Sequence, residues 1–138
     1  MDRFWIGWLQ AAAVGVIVFG LALVLLPGPA RQGFAWLIYG SPDAIDRFGA
    51  EAVRYIGLAH AVIGAVMVGW GVLLFGVVRR SPAGDERSAR TLIAVSVLAW
   101  FVPDTAYSLA SGHAPNAVLN LVFLALLALP LLAMRRRR

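Results

Sequence analysis

The chain has 138 residues, 61% of them hydrophobic and only 14% charged, with a mean hydropathy of +0.81. Too few polar side chains remain to cover a water-soluble domain of this size, which excludes an ordinary soluble fold. The absence of cysteine removes disulfides, thiolate metal sites, cysteine nucleophiles and dithiol redox chemistry. All twelve basic residues are arginine, which removes Schiff-base lysine chemistry and fits a GC-rich bacterial genome. The net charge of +5 sits beside hydrophobic runs rather than along an amphipathic face, so it points to a membrane surface, and no nucleic-acid partner is expected.

The first hydrophobic run, residues 5–26, has Gln10 as its one clearly polar side chain and stops at Pro27-Gly28-Pro29. At about 1.5 Å per residue it reaches about 33 Å, enough to cross a hydrocarbon core of about 30 Å. Its weakly positive start, Met1-Asp2-Arg3, and its length predict a retained anchor rather than a cleaved signal. The connection Pro27 to Arg54 is too apolar for a free linker, with Phe34, Trp36, Leu37, Ile38, Tyr39, Ile45 and Phe48. Ser41-Pro42-Asp43 reads as a helix start with Ser41 as N-cap, giving a short interfacial helix from about Pro42 to Phe48; an irregular loop with aromatic anchors fits equally.

The second run, 55–78, contains His60 and ends in Arg79-Arg80; the third, 91–110, contains Pro103 and Asp104; the fourth, 116–134, precedes Arg135 to Arg138. Pro103 predicts a bend, because it cannot donate to the carbonyl of Ala99. Gly112 and Pro115 between the last two runs predict a tight helical hairpin. Arg79 to Arg90 reads as a short solvated loop. The expected fold is therefore an all-α integral membrane protein, one domain over 1–138 with four transmembrane helices in a compact bundle.

With four spans, the amino terminus, the Arg79 to Arg90 loop and the carboxyl terminus share one side and carry nine arginines, against three on the other side at Arg31, Arg47 and Arg54. The positive-inside rule places both termini in the cytoplasm, with a bacterial inner membrane as the expected location. Close helix approach is expected along Gly57, Ala61, Ala65 and Gly69, with a shorter series at Gly7, Ala11 and Gly15. Those rows could serve the bundle itself or a homo-oligomer.

Asp104 is the one acidic residue inside a span. At a helix centre such a group costs about 2.5–3.5 kcal/mol, which several apolar neighbours roughly balance for insertion. Spacing by four places Trp100, Asp104 and Ser108 on one face, and Asn116 with Asn120 on the next helix. Under the four-span topology His60, Asp104 and Asn120 all fall roughly 6–9 Å below the outer boundary. They are read as a shared polar interior, approached past Thr105, Ser108 and Asn116, with Trp100 and Tyr107 as its aromatics. A carboxylate near an imidazole can hold a proton, bind a cation or orient a polar ligand; the competing reading is a hydrogen-bonded clamp that fixes helix registry. No metal is expected, since His60 and His113 lack ligand spacing. Ser108, His60 and Asp104 have the composition of a triad, but no nucleophile motif positions them, so no catalytic residue is assigned.

Size, four spans, a glycine-rich second helix and an aromatic first connection together resemble the small bacterial four-helix membrane proteins grouped as DoxX-like. The resemblance is one of architecture over most of the chain; it implies a four-helix membrane fold and carries no residue roles. The functional expectation is a non-enzymatic protein that binds a lipid, quinone or other small amphiphile, or an accessory subunit of a membrane complex. A proton-coupled or ion-conducting oligomeric transporter is the alternative, and a membrane enzyme a further one. No cofactor is identified by the sequence, and the expected partners are the bilayer, a small amphiphile or another membrane protein.

Overall fold

The computed structural model describes residues 3–80 and 86–135, the last two as backbone alone. Met1-Asp2, the middle of the Arg79 to Arg90 loop and Arg136 to Arg138 lie outside the described residues. The described chain is 94% helical and contains no strand. Its α-helices are α1 (Arg3–Leu25), α2 (Pro27–Tyr39), α3 (Ala50–Arg80), α4 (Glu86–Ala110) and α5 (Ala114–Arg135), with a 3₁₀ helix at Pro42–Arg47 between α2 and α3. Residues 3–25, 50–80, 86–110 and 114–133 form four helices long and apolar enough to cross a membrane, which marks an integral membrane protein by length and composition. The 31 residues of α3 reach about 46 Å, so the helix outruns the hydrocarbon and carries Glu51 and Arg54 at one end and Arg79 and Arg80 at the other.

The largest departure from the sequence reading is α2. Pro27-Gly28-Pro29 looks like a stop, yet the structure opens a helix on it. The first-turn N–H groups of a helix have no partner inside it, so a proline there removes nothing the helix needs. Leu26 (φ −122°, ψ 60°) breaks the direction of the chain, and the Ala30 N–H already donates to the Leu26 carbonyl at 2.9 Å. Gly40, in the left-handed region at φ 73°, ends α2 by donating its N–H to the Trp36 carbonyl at 2.8 Å. The short helix expected after Ser41 is present as the 3₁₀ helix. Ser41 begins it through its backbone carbonyl, which accepts from the Ala44 N–H at 3.2 Å, and not through a side-chain cap.

The chain divides into two compact units, Met1–Val14 with Leu73–Arg138, and Gly15–Val72. In the second unit α1 and α3 meet at Gly20 and Gly64. A Cβ on either glycine would lie 2.5 Å from the other's carbonyl oxygen, so neither position admits a side chain without separating the helices.

This contact corrects the expected packing row. A step of four residues advances about 40° past a full turn, so a row spaced by four winds off its starting face, whereas a step of seven returns to within about 20°. Gly57 and Gly64 therefore share a face, while Ala65 and Gly69 have turned away and are exposed, with open space beside Gly69. Ala61 lies between, half-buried. The α1 series Gly7, Ala11 and Gly15 is exposed, and nothing approaches Gly7 or Gly15 within 4 Å.

In the first unit the buried apolar residues come from every helical segment: Leu9 and Ala13 of α1, Leu74 and Val78 of α3, Ile93 and Val97 of α4, and Leu127 of α5. Pro130, fully buried inside α5, cannot donate to the carbonyl of Leu126 four residues before it. The Trp8 indole does so instead, with Nε1–H donating to the Leu126 oxygen at 2.8 Å. A carbonyl freed in hydrocarbon has no water to turn to, so this bond ties α1 to α5 at the proline.

Trp8→Phe should therefore lower the unfolding free energy in bicelles by about 0.6–1.7 kcal/mol, the range of interhelical hydrogen bonds in membranes. In a Pro130→Leu background the same change should be close to neutral, since the helix then supplies its own donor. Equal losses in both backgrounds would show that Trp8 acts by packing alone.

Candidate functional site: the polar seam of α4 and α5

The α4–α5 hairpin is closed by backbone bonds that follow from its sequence. Gly112 takes a left-handed conformation at φ 79°, its N–H donates to the Leu109 carbonyl at 3.2 Å, and the His113 N–H donates to the Ser108 carbonyl at 2.7 Å. This pair of bonds is a Schellman ending, and it turns the chain so that Pro115 can sit in the first turn of α5, where its missing N–H costs nothing. At the turn Ser111 Oγ lies 2.9 Å from His113 Nδ1, an exposed pair.

The tight turn sets the register of the two helices, and the register brings five expected residues together. Ser108 is buried at 4% exposure. Its hydroxyl donates to the Asp104 carbonyl at 2.7 Å and accepts from Asn116 Nδ2 at 2.8 Å. The second amide hydrogen of Asn116 reaches Asp104 Oδ1 at 3.2 Å, so both donors of one amide bind α5 to α4. One turn further along α5, the buried Asn120 donates from Nδ2 to Thr105 Oγ1 at 3.3 Å. A hydroxyl bonded to the carbonyl four residues back is the usual refuge of serine inside a helix, and here it leaves the oxygen lone pairs free for the facing helix.

Asp104 and Asn116 are each half-buried. Asp104 Oδ2 and Asn116 Oδ1 accept no hydrogen bond from another described residue, and neither is sealed from its surroundings. On the same face of α4, one turn from Asp104, the Trp100 ring meets Phe123 of α5 edge to face at 6.4 Å. The seam thus has two acceptors without a described donor, on the two helices that also carry the Trp100–Phe123 ring contact. Tyr107, expected among the lining aromatics, is 76% exposed.

His60, expected in the same cluster, belongs to the other unit, where its ring stacks on Phe34 of α2 with centroids 4.7 Å apart and planes 26° from parallel. Phe34 escapes a sequence reading that takes residues 27–39 as loop; once they form a helix, the spacing of Arg31 and Phe34 places them on one face. Among the described residues no three of His, Asp or Glu gather closely enough to hold a metal ion.

No family model matches the chain, and no curated protein or solved structure matches it either. The expected likeness to DoxX-like proteins therefore has no support, and what stands is a small chain with four helices long and apolar enough to cross a membrane.

Ser108→Ala removes both the donor to the Asp104 carbonyl and the acceptor for Asn116, and should cost about 1–3 kcal/mol in a detergent unfolding titration. Ser111→Ala, in the exposed turn, should be milder. Identical transitions for the two variants would mean that the seam does not hold the hairpin.

Proposed function

We propose that this is a non-enzymatic protein of the bacterial inner membrane that binds a small amphiphile at the α4–α5 seam, with both termini in the cytoplasm and the seam toward the outer leaflet. The carrying observation is the pairing of unused acceptors, Asp104 Oδ2 and Asn116 Oδ1, with the Trp100 and Phe123 rings on one helical hairpin. Acceptors and aromatic rings on one hairpin suit a ligand with a hydroxyl or amine head and an apolar body, such as a quinol or a lipid with a glycerol or ethanolamine head. The orientation is supported by the nine-to-three arginine asymmetry. The hydrogen bonding of Ser108 supports a binding role over a hydrolytic one. Its hydroxyl is bonded most closely to a backbone carbonyl, at 2.7 Å, with the Asp104 carboxylate oxygen at a long 3.4 Å, and no described histidine bonds to it.

Protein purified in a mild detergent should release an amphiphile with a hydroxyl or amine head on solvent extraction and mass spectrometry, near one molecule per chain. Asp104→Ala should reduce that yield about tenfold or more, since a hydrogen bond to a charged acceptor is worth about 1.5–3 kcal/mol. Equal yields from both proteins, or none from the wild type, would contradict the reading.

A further inference from the structure

The second unit holds a pair of basic side chains that the α4–α5 seam does not use. Arg31 stands at the start of the second turn of α2 and reaches across to α3, where its Nη1 lies 3.0 Å from the point a Cβ on Gly57 would occupy. His60 follows Gly57 by three residues and Phe34 follows Arg31 by three, so each helix contributes two positions on one face. The facing pairs interlock: the guanidinium lies against the bare backbone at Gly57, and the imidazole stacks on Phe34. A Cβ at 57 would crowd Nη1, so the guanidinium would have to give by a few tenths of an ångström.

Two features of this pair lack a counterpart. Arg31 is half-buried, yet its guanidinium forms no ion pair or hydrogen bond with another described residue. The carboxylate of Glu51 instead faces Arg54, at 3.9 Å between two well-exposed side chains. His60 Nδ1 is buried and has no hydrogen-bond partner among the described residues. A partly buried cation without an anion and a buried ring nitrogen without a partner each cost free energy, and a single oxyanion would relieve both. The exposed aromatics Trp36, Tyr39 and Tyr55 on the surrounding segments are of the kind that lies at the level of lipid headgroups.

We infer that Arg31 and His60 form a binding site for an oxyanion, the phosphate of an anionic lipid headgroup or a free phosphate, held between α2 and α3. The guanidinium supplies two parallel N–H donors, and His60 supplies a third from Nδ1 when its proton resides there. Phe34 fixes the plane of the imidazole. This site is separate from the seam of α4 and α5, and its success or failure leaves the reading of Asp104 untouched.

The test uses the full chain in dodecyl maltoside and native mass spectrometry with three probes: dioctanoyl phosphatidylglycerol, inorganic phosphate, and dioctanoylglycerol, which lacks the phosphate. The phosphatidylglycerol should bind the wild type, and dioctanoylglycerol should not bind at this site. Arg31→Gln should weaken binding about tenfold or more, and His60→Phe, which keeps the ring stack, should weaken it measurably. Arg47→Gln, an equal loss of charge at an exposed position, should bind as the wild type does. Inorganic phosphate bound with the same dependence on Arg31 would support the site and identify the free anion as its source. Unchanged binding in either Arg31→Gln or His60→Phe when Asp104→Ala is also present, so that the seam takes no lipid, or equal binding of dioctanoylglycerol in that background, would overturn the proposal.

Discussion

A polar group freed inside hydrocarbon must find a partner within the protein, because no water is there to replace the lost bond. Much of the described structure answers to that constraint. Pro130 frees the Leu126 carbonyl, and Trp8 of another helix donates to it. Ser108 and Asp104 lie on the membrane-spanning length of α4, and a single amide, Asn116, donates to both. Hydrophobic attraction cannot choose between registers in a solvent as apolar as leucine, so such bonds and the close contact of Gly20 with Gly64 select them.

The membrane fold was legible in the sequence because it depends on sums over long windows: four apolar runs remain four spans whatever their neighbours do. The seam was legible for a related reason. Asp104, Ser108, Asn116 and Asn120 are spaced by four on two helices joined by a short turn, so local periodicity and one tight connection bring them together. A hydrogen-bonded clamp and a ligand site, alternatives at the level of sequence, would draw on these same residues. The amide nitrogens of Asn116 and Asn120 bind α5 to α4.

What the sequence did not disclose depends on contacts between elements far apart in the chain. Pro27 and Pro29 carry the same local signal whether they end α1 or begin α2, and only the continuation to Gly40 decides between them. The register of α3 was misread by taking a spacing of four as a straight stripe; on a helix of 3.6 residues per turn it is a spiral, and Gly64, absent from that row, makes the contact. Trp8 carries no mark of its bond to Leu126, because its partner is a backbone atom 118 residues away. His60 was grouped with Asp104 by depth alone, and its described ring contact is with Phe34 of its own unit.

The α4–α5 hairpin is held by the direct hydrogen bond between Asn116 and Asp104. This is tested most directly by a double-mutant cycle on Asp104 and Asn116, with unfolding free energies measured in bicelles for Asp104→Leu, Asn116→Leu and the double variant. The account predicts that the double variant is less destabilised than the sum of the two single changes, with a coupling of about 0.6–1.7 kcal/mol. Strict additivity would contradict it, since each residue would then contribute without the other.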